Sequence, residues 1–269
     1  MMSQQLFKRY IGIDYSGAQT AEAGLKGLRV YVADRESPVT EVLPPGGSSR
    51  YWSRRGVAAW LVEQLDLARS KQSPVIIGID HGFSFPRQYF ETHGLAPDWP
   101  AFLEDFQHHW PTDEPETSVD SIRRGERGQG ALRMGSSRWR RICEQRVGAK
   151  SVFHFDVPGS VAKSTHAGLP WLRLLRLLRQ KCGEQIHCWP FDGWEPEAGR
   201  SLVAEIYPSL WSRNYAPAGR TPDQHDAWVV ATWLQQADLT GELRGCLQPA
   251  LSDEERQFAS YEGWILGVR

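Results

Sequence analysis

Tyr10-Ile11-Gly12-Ile13-Asp14-Tyr15-Ser16-Gly17 is the stretch that decides how the chain reads. Ile11 and Ile13 alternate with Tyr10 and Gly12, and β-branched residues suit a pleated strand. Ser16-Gly17 then turns the chain, so the strand delivers Asp14 to its own C-terminal end. The same grammar returns at Pro74-Val75-Ile76-Ile77-Gly78-Ile79-Asp80-His81-Gly82. Two such strands, laid parallel and adjacent, set two carboxylates side by side. Hard divalent cations take oxygen ligands of this kind.

Around these two strands the pattern is that of an α/β chain. Residues 27–33 and 39–43 read as a second and third strand, joined closely enough for an antiparallel meander. Val57, Trp60, Leu61, Leu65 and Ala68 recur at helical spacing. The nearly unbroken apolar run 75–79 belongs to a strand covered on both faces. Residues 186–190 read as an edge strand and 202–208 as a clearer one, with Val203, Glu205 and Tyr207 on one face. A glutamate within an apolar strand is costly unless it is paired or bound to metal. Pro222 opens a helix with Ala227, Val230, Ala231 and Leu234 as its apolar stripe. Asp223 suits the helix N-terminus as a cap. Asp226 lies about a turn further in, where capping does not account for it. A last helix spans 253–261.

The segment 83–150 reads as an insertion on this core, with a short helix at 99–110 and another near 138–147. Its part 120–150 is rich in arginine and glycine. Arg123, Arg124 and Arg127 head that run. They suit a clamp on phosphates, and equally a solvated basic surface. Residues 151–155 alternate as a strand would. Residues 159–170 read as a loop in which Lys163 and His166 could reach a substrate, although the glycine spacing is wrong for a phosphate-binding P-loop. Residues 171–178 form a leucine-rich helix.

The net charge of -1 excludes a global field that recruits nucleic acid, so an anionic partner needs a local basic patch. No apolar run approaches the roughly 20 residues that span a bilayer. Residues 1–9 lack the apolar core of a signal peptide. The expectation is a cytoplasmic protein with no membrane partner, whose four cysteines are free thiols. Cys182, His187 and Cys188 lack the second ligand pair that a zinc finger requires.

The chemistry therefore centres on Asp14, Asp80, Glu205 and Asp226, expected to bind Mg²⁺ or Mn²⁺. Clustered without a cation they would repel one another. Two ions about 4 Å apart could activate a water and stabilise the leaving oxygen of a phosphodiester. His81, Lys163, His166 and His225 are further candidates for proton transfer or support.

The order strand, strand, strand, helix, strand, with an aspartate ending the first and fourth strands and another on a late helix, resembles the ribonuclease-H-like fold. More narrowly, Gly12-Ile13-Asp14, Gly78-Ile79-Asp80, Ala204-Glu205-Ile206-Tyr207-Pro208-Ser209, His225-Asp226-Ala227 and Glu262-Gly263-Trp264-Ile265-Leu266-Gly267 resemble the family called domain of unknown function 429. Its members are described as predicted nucleases. The resemblance implies a single domain with a mixed five-stranded sheet flanked by helices. It also implies metal ligation by Asp14, Asp80 and Asp226, with Glu205 alongside. The long 83–150 segment and His81 depart from the simplest pattern. The leading expectation is a metal-dependent nuclease acting on DNA or RNA. The alternatives are a non-catalytic nucleic-acid-binding protein on the same fold and a phosphotransferase of the actin and sugar-kinase type.

Overall fold

A computed structural model describes residues 5–47, 49–181 and 186–269, the side chains of 178–181 excepted. In chain order, strands β1 (Arg9–Asp14), β2 (Arg29–Asp34) and β3 (Thr40–Glu41) precede helix α1 (Arg54–Ser70) and strand β4 (Val75–Asp80). Helices α2 (Arg87–His93), α3 (Trp99–His109), α4 (Val119–Arg123), α5 (Ile142–Val147) and α6 (Ala162–Lys181) follow. Strands β5 (Ile186–Trp189) and β6 (Ser201–Glu205) lead to α7 (Pro222–Thr240), α8 (Glu242–Leu247) and α9 (Asp253–Glu262).

The strands form one mixed sheet in the order β3-β2-β1-β4-β6-β5. β2 runs antiparallel to β1 and β3, whereas β4 is parallel to β1, β6 to β4, and β5 to β6. The sheet has six strands, not the five expected. Residues 186–189 add the outermost one, and its side chains are buried. An edge covered in this way avoids offering free backbone groups to another chain.

Glycine decides which helix covers the face that carries the two aspartates. Gly12 and Gly78 sit opposite each other in the β1–β4 register. A Cβ on Gly12 would lie 2.3 Å from the Ala227 carbonyl oxygen, and one on Gly78 2.8 Å from Val230. The missing side chains let the backbone of α7 settle onto the sheet. Side chains alternate along a strand, so Asp14 and Asp80 share the face that α7 covers.

The opposite face carries Ile11, Ile13, Ile77, Ile79 and Val203. They pack with Val57 and Leu61 of α1 and with Phe83, Phe85, Phe102 and Phe106 from the 83–150 segment. That segment therefore shares the core of the sheet.

Three local expectations are corrected. Residues 152–153 and 155–156 form turns, not a strand. Most of 159–170 is the first half of α6, with Pro170 inside the helix. The α7 cap is Thr221, whose hydroxyl accepts from the Gln224 amide, not Asp223. Among the described residues no helix is long and apolar enough to cross a membrane. Cys143 and Cys246 are free and buried, Cys188 is buried, and Cys182 lies outside the described residues.

Candidate functional site

The parallel pairing of β1 with β4 sets Asp14 directly beside Asp80. Neighbouring strands lie about 4.8 Å apart, so the two carboxylates occupy adjacent positions at one sheet edge. Neither makes a side-chain hydrogen bond or ion pair among the described residues. Burial pushes the Asp14 carboxyl well above the usual carboxylate range, and the charges of Asp80, Asp223 and Asp226 push it further. Arg29, opposite Asp14 on β2, opposes that shift, but its guanidinium also pairs with Glu41 at 3.0 Å. Asp80 is raised likewise, by burial first and then by Asp226 and Glu205. The acids are close enough to feel one another, and among the described residues no cation stands between them.

Asp226 stands on α7 above this pair. Its Oδ1 accepts a hydrogen bond from the Ser212 hydroxyl at 2.7 Å. Among the described residues no three acids, imidazoles or thiols converge closely enough to hold a metal as placed. The chemistry of the donor set nevertheless fits a hard divalent ion. Asp14 and Asp80 are unpaired oxygen donors whose mutual repulsion such an ion would relieve. Completing the set requires Asp226 to share or release its bond to Ser212.

Glu205 does not join them. It pairs in register with Ile79, not Asp80, so alternation puts its side chain on the opposite face of the sheet. There it is 4 % exposed and bound on both oxygens by Arg141, at 2.5 Å from Nη2 and 2.7 Å from Nη1. Its Oε2 also accepts from the Phe83 amide at 2.9 Å. Arg141 holds Glu144 as well, through Nε at 2.9 Å. With one cation between two buried acids, burial raises the Glu144 carboxyl to about 7, while Arg141 opposes the shift.

The expected substrate-binding residues are placed differently from one another. Arg123 lies 3.2 Å from both Asp156 oxygens and over the Phe155 ring. Arg124 is bidentate to Glu126, and Arg127 reaches Glu116 at 3.4 Å. Lys163 donates to Asp120 at 2.8 Å. Each of these cations is thus compensated on its own surface. His166 corrects the expectation outright. It is 0 % exposed and enclosed by Phe85, Phe106, Trp110 and Phe155, too deep to touch a substrate. Burial lowers its imidazole to about 3, so it is neutral. Burial likewise lowers His81 to about 4. His225 holds the Ser212 carbonyl at 3.1 Å, next to the Asp226 contact.

Four residues that matter here escaped the sequence reading. Arg54 is buried and donates to the carbonyls of Ser16, Ala18 and Gln19, which fixes the loop that follows Asp14. Arg141 appeared only as one of many basic residues. Asp223 acts on Asp14, as its three-residue offset from Asp226 on one helix face could have suggested. Lys150 lines a small cleft with Asp80, His81, Arg141, Glu205 and Tyr207. Its ammonium donates to the Pro158 carbonyl.

Comparison with known proteins adds no relative, since no family model, curated protein or solved structure matches the chain. Fold and site geometry define an α/β protein with a six-stranded mixed sheet and an acidic pair at the end of its central strands.

Proposed function

We propose that this protein is a metal-dependent phosphodiesterase acting on nucleic acid, on a ribonuclease-H-like sheet. The observation that carries the reading is the in-register Asp14–Asp80 pair, unpaired and covered by the helix that bears Asp226. The antiparallel β3-β2-β1 meander followed by parallel β4 suits that fold.

Asp14, Asp80 and Asp226 would hold Mg²⁺ or Mn²⁺. When bound, such an ion neutralises charge on a phosphate and acidifies water beside it. The chain supplies the rest. Arg54 keeps the loop after Asp14 in place, and α7 seated on Gly12 and Gly78 keeps Asp226 in reach. Lys150, at the cleft beside Asp80, is the side chain we assign to the phosphate of the substrate. His81 is neutral at physiological pH and gives the site no extra positive charge.

The reading of a non-catalytic binder draws less support, because the arginines that would form its clamp already face acids. The decisive experiment is cleavage of single- and double-stranded DNA and RNA with Mg²⁺ or Mn²⁺, with Asp14→Asn and Asp80→Asn beside the parent. Cleavage lost in both variants is the expected result. No divalent-ion binding and no cleavage by the parent would defeat the reading.

A further inference from the structure

We propose that Arg138, Arg140 and Lys150 form a basic rim, on the Asp80 side of the molecule, across which the phosphate backbone of a nucleic acid lies. The inference rests on the nucleic-acid reading above and names the surface that holds the strand.

The arginine-rich run divides in two. Arg123, Arg124 and Arg127 face Asp156, Glu126 and Glu116. Arg133, Arg141 and Arg146 are paired with Asp105, Glu205 and Glu255. Arg138 and Arg140 are exposed, and among the described residues no acid pairs with either. Lys150 is exposed too, and its ammonium bonds a carbonyl, that of Pro158. An unpaired cation can take a phosphate directly, whereas a paired one must first give up its acid.

The fold presents the two arginines in fixed directions. Trp139 packs edge-on against Phe153, and the Arg141 side chain is 1 % exposed. Burial alternates along 138–141, so Arg138 and Arg140 turn outward. Gly135 is pressed onto the same Phe153 ring, where a Cβ would come within 2.4 Å. The Arg138 amide donates to the Ser136 hydroxyl, and the Arg140 carbonyl accepts from Gln145 Nε2 at 2.8 Å. A backbone already held in place loses little freedom when a ligand binds.

The rim adjoins the candidate site. Arg140 immediately precedes Arg141, which lines the cleft beside Asp80 together with Glu144 and Lys150. Between Arg140 and Lys150 runs α5, six residues and so about 9 Å of helix. That span matches about two or three phosphates of one duplex strand, spaced about 3.4 Å along the axis. The cleft itself has about 20 Å³ of free space, room for a water but not for a sugar or a base. The ligand is therefore an extended polyanion lying over the rim, not an enclosed mononucleotide. With a net charge of -1 the whole molecule supplies no attraction, so such a polymer depends on this local excess of cations. Leu132 and Met134 are exposed a few residues earlier, which would also suit an anionic lipid surface. Lipid vesicles are accordingly one arm of the test.

The test is binding of a labelled oligonucleotide, single-stranded and duplex, to the full chain in EDTA, with salt varied from about 50 to 200 mM. Without metal the measurement does not depend on cleavage. Arg138→Ala with Arg140→Ala is expected to lower the slope of log affinity against log salt by about 1.5, and to weaken binding about tenfold at low salt. Adding Lys150→Ala is expected to lower the slope by about 0.8 more. Arg138→Lys with Arg140→Lys keeps the charge and is expected to keep the parent slope. All these side chains are exposed, and thermal melting checks that the variants fold. An unchanged slope in the double alanine variant, an equal loss from Arg124→Ala with Arg127→Ala, or a parent that binds no oligonucleotide would overturn the inference. So would tighter binding of the parent to vesicles of anionic phospholipid than to the oligonucleotide. Metal-dependent cleavage by a parent whose binding ignores the rim variants would leave the phosphodiesterase reading standing alone. Binding as described without cleavage would leave the rim standing alone.

Discussion

The two faces at the C-terminal edge of the sheet handle acidic side chains in opposite ways. On the α7 face, Asp14 and Asp80 stand side by side with no cation between them among the described residues, and their carboxyls are pushed up. On the other face, Glu205 and Glu144 close around Arg141, and every oxygen has a donor. Both clusters are acidic, but Glu205 and Glu144 are fully buried whereas Asp14 and Asp80 are half-buried. One is finished without a ligand, while the other is left with repulsion that a ligand can remove. Satisfied buried networks stabilise a unique fold, whereas unresolved charge at an edge is where function is stored at a cost in stability.

The largest expected effect breaks the finished side. Arg141→Met leaves Glu205 and Glu144 buried without their cation and should cost about 3–5 kcal/mol, read by denaturant unfolding. A loss below about 1 kcal/mol would mean that the network is not closed as described.

Next is Gly12→Ala, which drives a methyl into the Ala227 carbonyl and lifts α7 from the strands. Overpacking of this kind costs about 1–3 kcal/mol. Because α7 carries Asp226, Mn²⁺ affinity should fall together with stability. A variant that is destabilised yet binds Mn²⁺ as the parent does would separate Asp226 from the site.

Asp80→Asn sharpens the contrast from the unfinished side. It removes a repelling charge and should stabilise the metal-free protein at neutral pH by about 1 kcal/mol while abolishing Mn²⁺ binding. The pH dependence follows from the same shifts. The folded state holds the Asp14 and Asp80 protons more tightly than the unfolded chain, so their contribution is favourable at low pH. It is lost as pH rises above the ordinary carboxylate value of 3.8 towards the raised folded values. Melting temperature without metal should therefore fall over that interval relative to that of Asp80→Asn. A constant offset between parent and variant there would contradict the unpaired state of these acids.

The smallest effects concern the basic residues. Lys150→Ala should lower the salt dependence of nucleic-acid binding by about one phosphate contact. Arg124→Ala with Arg127→Ala should leave both that slope and the stability nearly unchanged, since both arginines sit in exposed pairs. A larger slope change from these two arginines than from Lys150 would return the phosphate contact to their acid-paired surface.

The two Gly-Ile-Asp strands, the α/β character and the helix bearing Asp226 were legible from residue order, because strand alternation and helical spacing are local properties. The glycines two residues before each aspartate were visible too, but their purpose, the seating of α7, needed the packing partner. Only the tertiary structure decided that Glu205 faces away from the aspartates, that Arg141 neutralises it, that His166 is buried and that Arg123, Arg124 and Arg127 face acids. Those facts depend on strand register and on pairs such as Arg141 with Glu205, residues that only the fold brings together. Local pattern carries the period of a strand, but not which residue of a distant strand will lie beside it.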